Sequence, residues 1–236
     1  MDFNHLRRLL DNATARLLAT TQTLEHPQET ASLLPEWTQA HVLTHLARNA
    51  DGMRNLFLAA RTGEFVAMYA SPEIRSADIA AGATRDRSLL VLDVRVAAER
   101  LMIELDAMPD TAWEAAVPMS GDVDALRIPA TMLALFRLAE VELHHVDLGA
   151  GADFELVPGP ALVALVDVCH VRMHERTPPF NLHVPASGRS WVFGDDGPGV
   201  TVQEAAHAAA AWLTGRGTGS ELEAAGTASL PDLPSY

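Results

Sequence analysis

The sequence predicts an α+β protein: an antiparallel four-helix bundle over residues 1–151, then a small α+β domain over 152–236. Three observations carry that prediction. Four long segments with apolar residues at helical spacing fill the first part, the number such a bundle needs. A glycine-containing stretch, GAGADFE, then interrupts the pattern. Beyond it, one more helical segment gives way to short runs of strand-forming residues separated by turn residues.

Along the chain, residues 3–24 form the first predicted helix, with Leu6, Leu9, Leu10, Ala13, Leu17 and Leu18 on one face. A polar connection, HPQETAS, follows. Pro35 lies near the predicted start of the second helix, which runs through WTQAHVLTHLARNADGMRNLFLAA and stops near Gly63. SPEIRSADIAAG reads as a short connecting helix, with Ser71 placed to cap it and Pro72 suited to its first turn. Residues 84–108 form a third long helix that ends before Pro109. Pro129 opens the fourth, ATMLALFRLAEVELHHVDLGA.

In the second part, PGPALVALVDVCHVRMHER is helical, and FNLHVPA, SWVFG and GVTVQ are strand-like. EAAHAAAAWLTG is a last helix before a Gly-rich, Pro-containing tail that reads as loosely ordered. The sequence shows no internal repeat.

Composition excludes several classes of function. Acidic side chains outnumber basic ones 31 to 17, a formal net charge of -14. That sign repels phosphate backbones and anionic lipid surfaces, so neither nucleic acid nor membrane is an expected partner. The opening MDFNHLRRLL carries charge where a secretory apolar core would lie. No apolar stretch approaches the roughly 20 residues that cross a bilayer. One cysteine, Cys169, leaves no internal disulfide framework and no multi-cysteine zinc site. The expected compartment is the cytoplasm.

Chemistry concentrates on two helices. Glu140 and His144 stand four residues apart, hence one turn apart on one face, with Arg137 before them and Asp147 after. A charged stripe on an otherwise apolar helix needs partners, because burying an unpaired charge costs several kcal/mol. A carboxylate and an imidazole so placed can chelate one cation, and a third ligand must come from another helix. His45, mid-helix in AHVLTHLA, is the candidate. A His/His/Glu set leaves a coordination position open, as catalytic zinc sites do. The same residues also fit a plainer account, in which Glu140 and His144 are a solvated pair and His45 is a hydrogen-bonded core residue. Glu142 and His145 compete for the ligand roles but point to other faces. His41 with His45, and His170 with His174, are further pairs at four-residue spacing.

A resemblance narrows this choice. PEWTQAHVLTHLARNADGMRNL resembles the second-helix segment of the mycothiol-dependent maleylpyruvate isomerases, members of the broader DinB-like metal-binding helical bundles. The likeness continues through TGEFVAMYASPEIRSADIAAGAT, with its TGE, MY and SPE-x-R runs. It extends through RLAEVELHHVDLGA, near the pattern R-x-x-E-x-x-x-H-x-V-D-L-G, to WLTGRG. Four separated motifs in order span nearly the whole chain, most weakly over residues 152–200.

The resemblance implies that His45, Glu140 and His144 hold zinc or another divalent metal. It implies that Arg216, in LTGRG, serves the active site, with Arg75, in SPEIR, as a second anion-binding arginine. Asn49 and Asp147 are the candidate cofactor-binding residues; Asp147 fits a role in ordering the helix end as well, and Asn49 fits a simple interior hydrogen bond equally well. By itself, Arg216 reads as a cation for the last carbonyls of its helix. The implied reaction is isomerisation of maleylpyruvate to fumarylpyruvate in gentisate breakdown, with a small dicarboxylate as substrate and mycothiol as the thiol cofactor. Cys169, in VALVDVCHV, reads as a buried thiol unsuited to that role. The alternatives are a mycothiol-dependent S-transferase, a non-catalytic metal- or ligand-binding stress protein, and a structural bundle without metal. The MYASPEIR and LTGRG segments favour the isomerase.

Overall fold

The computed structural model describes residues 3–118, 127–194, 200–203, 205–219, 223–225 and 230–234. The chain divides into two compact units, Met1–Ala152 and Asp153–Tyr236.

The first unit is built on α1 (Phe3–Thr21), α2 (Gln39–Thr62), α3 (Pro72–Gly82), α4 (Arg87–Asp106) and α5 (Ala130–Asp147). α2 packs against α3, α4 and α5, and α1 packs against α4 and α5, so the four long helices enclose one core. Leu10 and Leu17 of α1, Leu43, Leu46, Leu56 and Phe57 of α2, Leu90, Leu101 and Leu105 of α4, and Leu133 and Leu138 of α5 are all sealed from solvent. Each such side chain contributes about 1.5–3 kcal/mol by burial, and truncating one, as in Leu46→Ala, costs about 2–5 kcal/mol.

Local chemistry sets the helix ends. Thr38, not Pro35, precedes the first turn of α2, and its backbone N–H donates to His41 Nδ1 at 3.2 Å. The predicted start is therefore moved by several residues, because residues 31–38 fold back in a turn closed by an Ala31–Thr38 bridge. Gly63 ends α2 at φ 76°, a left-handed cap that glycine adopts without a Cβ penalty. Ser71 Oγ accepts from Ile74 N at 3.2 Å and Pro72 occupies the first turn of α3, as the sequence predicts. The helices over residues 3–24 and 84–108 are shorter than predicted, frayed into turns at 22–23, 84–85 and 107–108.

A two-stranded antiparallel ladder, β1 (Ala116–Pro118) with β2 (Arg127–Pro129), precedes α5 and was not legible in the sequence. At Gly52, a side chain would strike Met68, with its Cβ only 2.8 Å from Met68 Cγ and 3.0 Å from Met68 O. That close approach presses the segment carrying Tyr69 onto α2.

The second unit holds α6 (Gly159–Met173), α7 (Ala206–Leu213) and a four-stranded sheet in the order β4-β3-β5-β6. β3 (Phe180–Val184) pairs antiparallel with β4 (Arg189–Phe193) and parallel with β5 (Val200–Gln203). Phe180, Leu182 and Val184 face inward while Asn181 and His183 alternate outward, the period of a half-buried strand. β6 (Glu223–Ala225) adds an antiparallel edge to β5. The tail expected to be loose therefore contributes a strand, while residues 226–229 and 235–236 lie outside the described residues. The chain is α+β, and among the described residues no helix is long and apolar enough to cross a membrane.

Candidate metal centre

Two helices of the first unit carry the cluster. On α2, His45 is buried among Val42, Leu46 and Asn49, because the interior stripe of AHVLTHLARN turns it toward α5. On α5, Glu140 and His144 sit one turn apart on the face that meets α2. His45 Nε2 lies 3.0 Å from Glu140 Oε2, and His144 Nε2 lies 3.5 Å from the same oxygen. The two imidazoles meet nearly at right angles, with centroids 4.5 Å apart. The ligand-capable atoms of the three residues all lie within 4.8 Å of one another, and no other such group exists among the described residues.

The surrounding side chains fix both rings. His144 Nδ1 lies 2.8 Å from Asp147 Oδ2, and Asp147 is fully buried. A carboxylate on the far nitrogen of an imidazole holds the ring's orientation and raises its basicity. His45 has a different partner. Arg75 Nη2 donates to His45 Nδ1 at 3.0 Å, while the Arg75 guanidinium lies 5.4 Å from the centre of the Tyr69 ring. Trp37 presents an edge-on contact to His45 at 5.7 Å.

Behind these groups, Arg137 is wholly buried. Its Nη1 donates to Leu46 O at 3.1 Å and to Asn49 Oδ1 at 2.7 Å, bracing α5 to α2 beside His45. Its Nε is buried without a hydrogen-bond partner among the described residues. Burial pushes the guanidinium down to about 10, opposed by the charge of Glu140, so it remains a cation at neutral pH.

Burial would push the Glu140 carboxyl up, yet its hydrogen bonds and charge interactions with His144 and His45 hold it well below the usual range. Burial lowers His45 despite its bond to Glu140. At His144 burial is outweighed by Asp147 and Glu140, which raise it. Burial raises the Tyr69 phenol, with Arg75 opposing.

The structure thus brings His45, Glu140, His144, Arg75 and Asp147 into direct contact, and ties in Asn49 through Arg137. Glu142 and His145 turn to α1: Arg16 Nη2 donates to Glu142 Oε1 at 2.5 Å, and Thr20 Oγ1 lies 2.7 Å from His145 Nε2. His41 is spent on the helix cap. His170 Nε2 donates to Val192 O at 2.8 Å, with its ring 5.0 Å from that of His174. Arg216 belongs to the second unit, beyond the end of α7, where its Nη1 donates to Thr214 O at 2.5 Å. Cys169, also in that unit, is fully buried, and burial pushes its thiol up to about 12. Sequence reasoning passed over Trp37, Tyr69 and the bracing role of Arg137. The Arg137 signal was present in its position one turn before Glu140, but nothing in the spacing identified its acceptors on α2.

The family described as "Mycothiol maleylpyruvate isomerase N-terminal domain" matches residues 10–149. The crystal structure of a mycothiol-dependent maleylpyruvate isomerase superposes with a TM-score of 0.86 at 25% identity, covering 100% of this chain and 98% of the other. A histidine-to-alanine mutant of a mycothiol-dependent maleylpyruvate isomerase superposes at 0.85, with the same identity and coverage. No curated protein sequence matches. With more than half its length matched, the chain belongs to the mycothiol maleylpyruvate isomerase family.

Proposed function

We propose that this protein is an isomerase that converts maleylpyruvate to fumarylpyruvate with mycothiol, at a divalent metal centre held by His45, Glu140 and His144. The observation that carries the reading is the convergence of two imidazoles on one buried carboxylate oxygen. A tetrahedral ion with ligands at about 2.0–2.2 Å needs neighbouring ligand atoms about 3.3–3.5 Å apart. The 3.0 and 3.5 Å separations at Glu140 Oε2 bracket that value. Asp147 behind His144 is the accompanying carboxylate that such sites use. The residues present therefore fit the group. Zinc is the preferred ion, although two imidazoles and a carboxylate suit other divalent metals.

A carbon–carbon double bond does not rotate at ambient temperature, and mycothiol, when bound, would supply a thiolate able to add to it reversibly. A bound metal would supply Lewis acidity, favouring thiolate over thiol or polarising a substrate oxygen. The chain's own residues do the rest. His45, Glu140 and His144 would hold such an ion with three protein ligands. Arg75 is proposed to bind a substrate carboxylate, since a guanidinium matches a carboxylate with two parallel hydrogen bonds. Arg216 is proposed as a second carboxylate anchor supplied by the C-terminal domain, taken as residues 152–236. Asn49 and Arg137 hold α2 and α5 in register behind the ligands. We read residues 1–151 as an antiparallel DinB-like four-helix bundle, supported by the neighbour relations of its long helices, and the compartment as the cytoplasm.

The test combines metal analysis with a maleylpyruvate assay. Purified protein is expected to carry about one divalent ion per chain, to lose most of it in a His45→Ala variant, and to turn over maleylpyruvate only when mycothiol is supplied. Turnover by thoroughly desalted protein, or full metal retention by His45→Ala, would defeat the reading. A product that keeps the thiol attached would move the protein to the S-transferases.

A further inference from the structure

The two histidines of the cluster are held in opposite ways. His144 Nδ1 faces a carboxylate, so it carries a proton there, and its Nε2, 3.5 Å from Glu140 Oε2, is the nitrogen turned to the ligand position. His45 Nδ1 faces Arg75 Nη2 at 3.0 Å. A guanidinium has donors and no acceptor, so His45 Nδ1 must accept, and the neutral ring's proton sits on Nε2, where it is donated to Glu140 Oε2. That is the wrong tautomer for a ligand. A metal at the triad takes the Nε2 lone pair, which requires the ring to lose the proton there and gain one on Nδ1, remaining neutral overall. An Nδ1–H then points at the Arg75 N–H. Two donors face each other, and the contact breaks.

We propose that the metal and Arg75 compete for His45, so that metal loading displaces Arg75 from the ring and frees its guanidinium for a carboxylate of the substrate. The proposal rests on the metal-centre reading above and deepens it: the anion site is completed only when the metal site is filled. Arg75 is half-exposed, on a short helix, and lies beside the Tyr69 ring, which gives the released guanidinium a surface to move across. The two binding events are therefore coupled, since a dicarboxylate that holds Arg75 away from His45 favours the metal, and the metal favours the dicarboxylate.

The experiment measures Zn2+ affinity by competition with a chromophoric chelator, for the wild type and Arg75→Met, each with and without maleate as an unreactive dicarboxylate probe. Circular dichroism reports retained helix, and Arg75→Ala serves as a second variant. Arg75→Met is expected to bind zinc about tenfold more tightly, the weight of one hydrogen bond to a charged group. Maleate should tighten zinc binding in the wild type and do so much less in the variant. Nitrogen-15 shifts should report the Nε2–H tautomer of His45 without metal and Nδ1–H with it. Equal or weaker zinc binding by folded variants, or an Nδ1–H tautomer in the metal-free protein, would overturn the competition while leaving the metal centre intact. Zinc binding by neither protein would remove the metal centre itself, and the competition with it.

Discussion

Replacing Asp147 by Asn isolates the effect of one charge behind one ligand. The side chains are nearly isosteric, Asp147 is fully buried, and its backbone carbonyl, which accepts from Leu33 N at 2.8 Å, is untouched. What changes is the acceptor 2.8 Å from His144 Nδ1, from a carboxylate to an amide. Loss of such a partner costs about 10–100-fold in metal affinity, or about 1.4–2.8 kcal/mol at 1.4 kcal/mol per factor of ten. The assay is chelator competition for zinc, read beside thermal unfolding of the metal-free protein. Glu142→Gln is the matched control. It removes the same charge from the same helix, but at a residue paired with Arg16 and facing α1, so zinc affinity should be unchanged. Zinc affinity within twofold of wild type in Asp147→Asn would refute the idea that Asp147 prepares His144 as a ligand. Equal losses in both variants would point to the charge of α5 as a whole instead.

Two further outcomes concern the second unit. With its thiol pushed up to about 12 by burial, Cys169 is nearly all thiol at pH 8, so iodoacetamide should modify it roughly a thousandfold more slowly than a free cysteine. The rate should keep climbing with pH above 9, where an exposed thiol levels off, and Cys169→Ala should retain normal mycothiol-dependent turnover; rapid modification of the folded protein would contradict the buried assignment. Arg216→Ala should lower kcat/KM for maleylpyruvate by about 10–100-fold, one charge-assisted carboxylate contact, with zinc content unchanged. Normal kinetics would leave Arg216 with its observed role at the Thr214 carbonyl.

The cluster shows which parts of a site spacing can reveal. Glu140 and His144 were legible because helical period alone puts residues four apart on one face. His45 was legible only as a polar residue in an apolar stripe; that it meets Glu140 depends on the register of α2 against α5, which no local pattern encodes. Part of that register comes from Arg137 reaching Leu46 O and Asn49 Oδ1, a contact between residues 88–91 apart in sequence. Tyr69 was invisible for a similar reason, since its position depends on the close approach of Met68 to Gly52. In the second unit the strands announced themselves by runs of strand-forming residues between turn signals, whereas β6 is too short and too small in its side chains to do so. The β1–β2 ladder pairs two three-residue strands, below the length at which period 2 can be recognised.

The electrostatics of the site run against those of the whole chain. A net charge of -14 offers a dicarboxylate no long-range attraction, so capture must act at short range. Within the cluster, the carboxylates of Glu140 and Asp147 are balanced by the guanidinium groups of Arg75 and Arg137. On the proposed reading, a divalent ion added to that balanced set leaves it positive. At physiological ionic strength, fields between exposed charges fade over about 8 Å, whereas buried groups are screened much less. The acidic surface is therefore damped at the distance where the buried cluster still acts. A substrate anion is drawn by the few groups that face it, and Arg137, buried beyond the reach of solvent, contributes a fixed positive charge that surface screening does not remove.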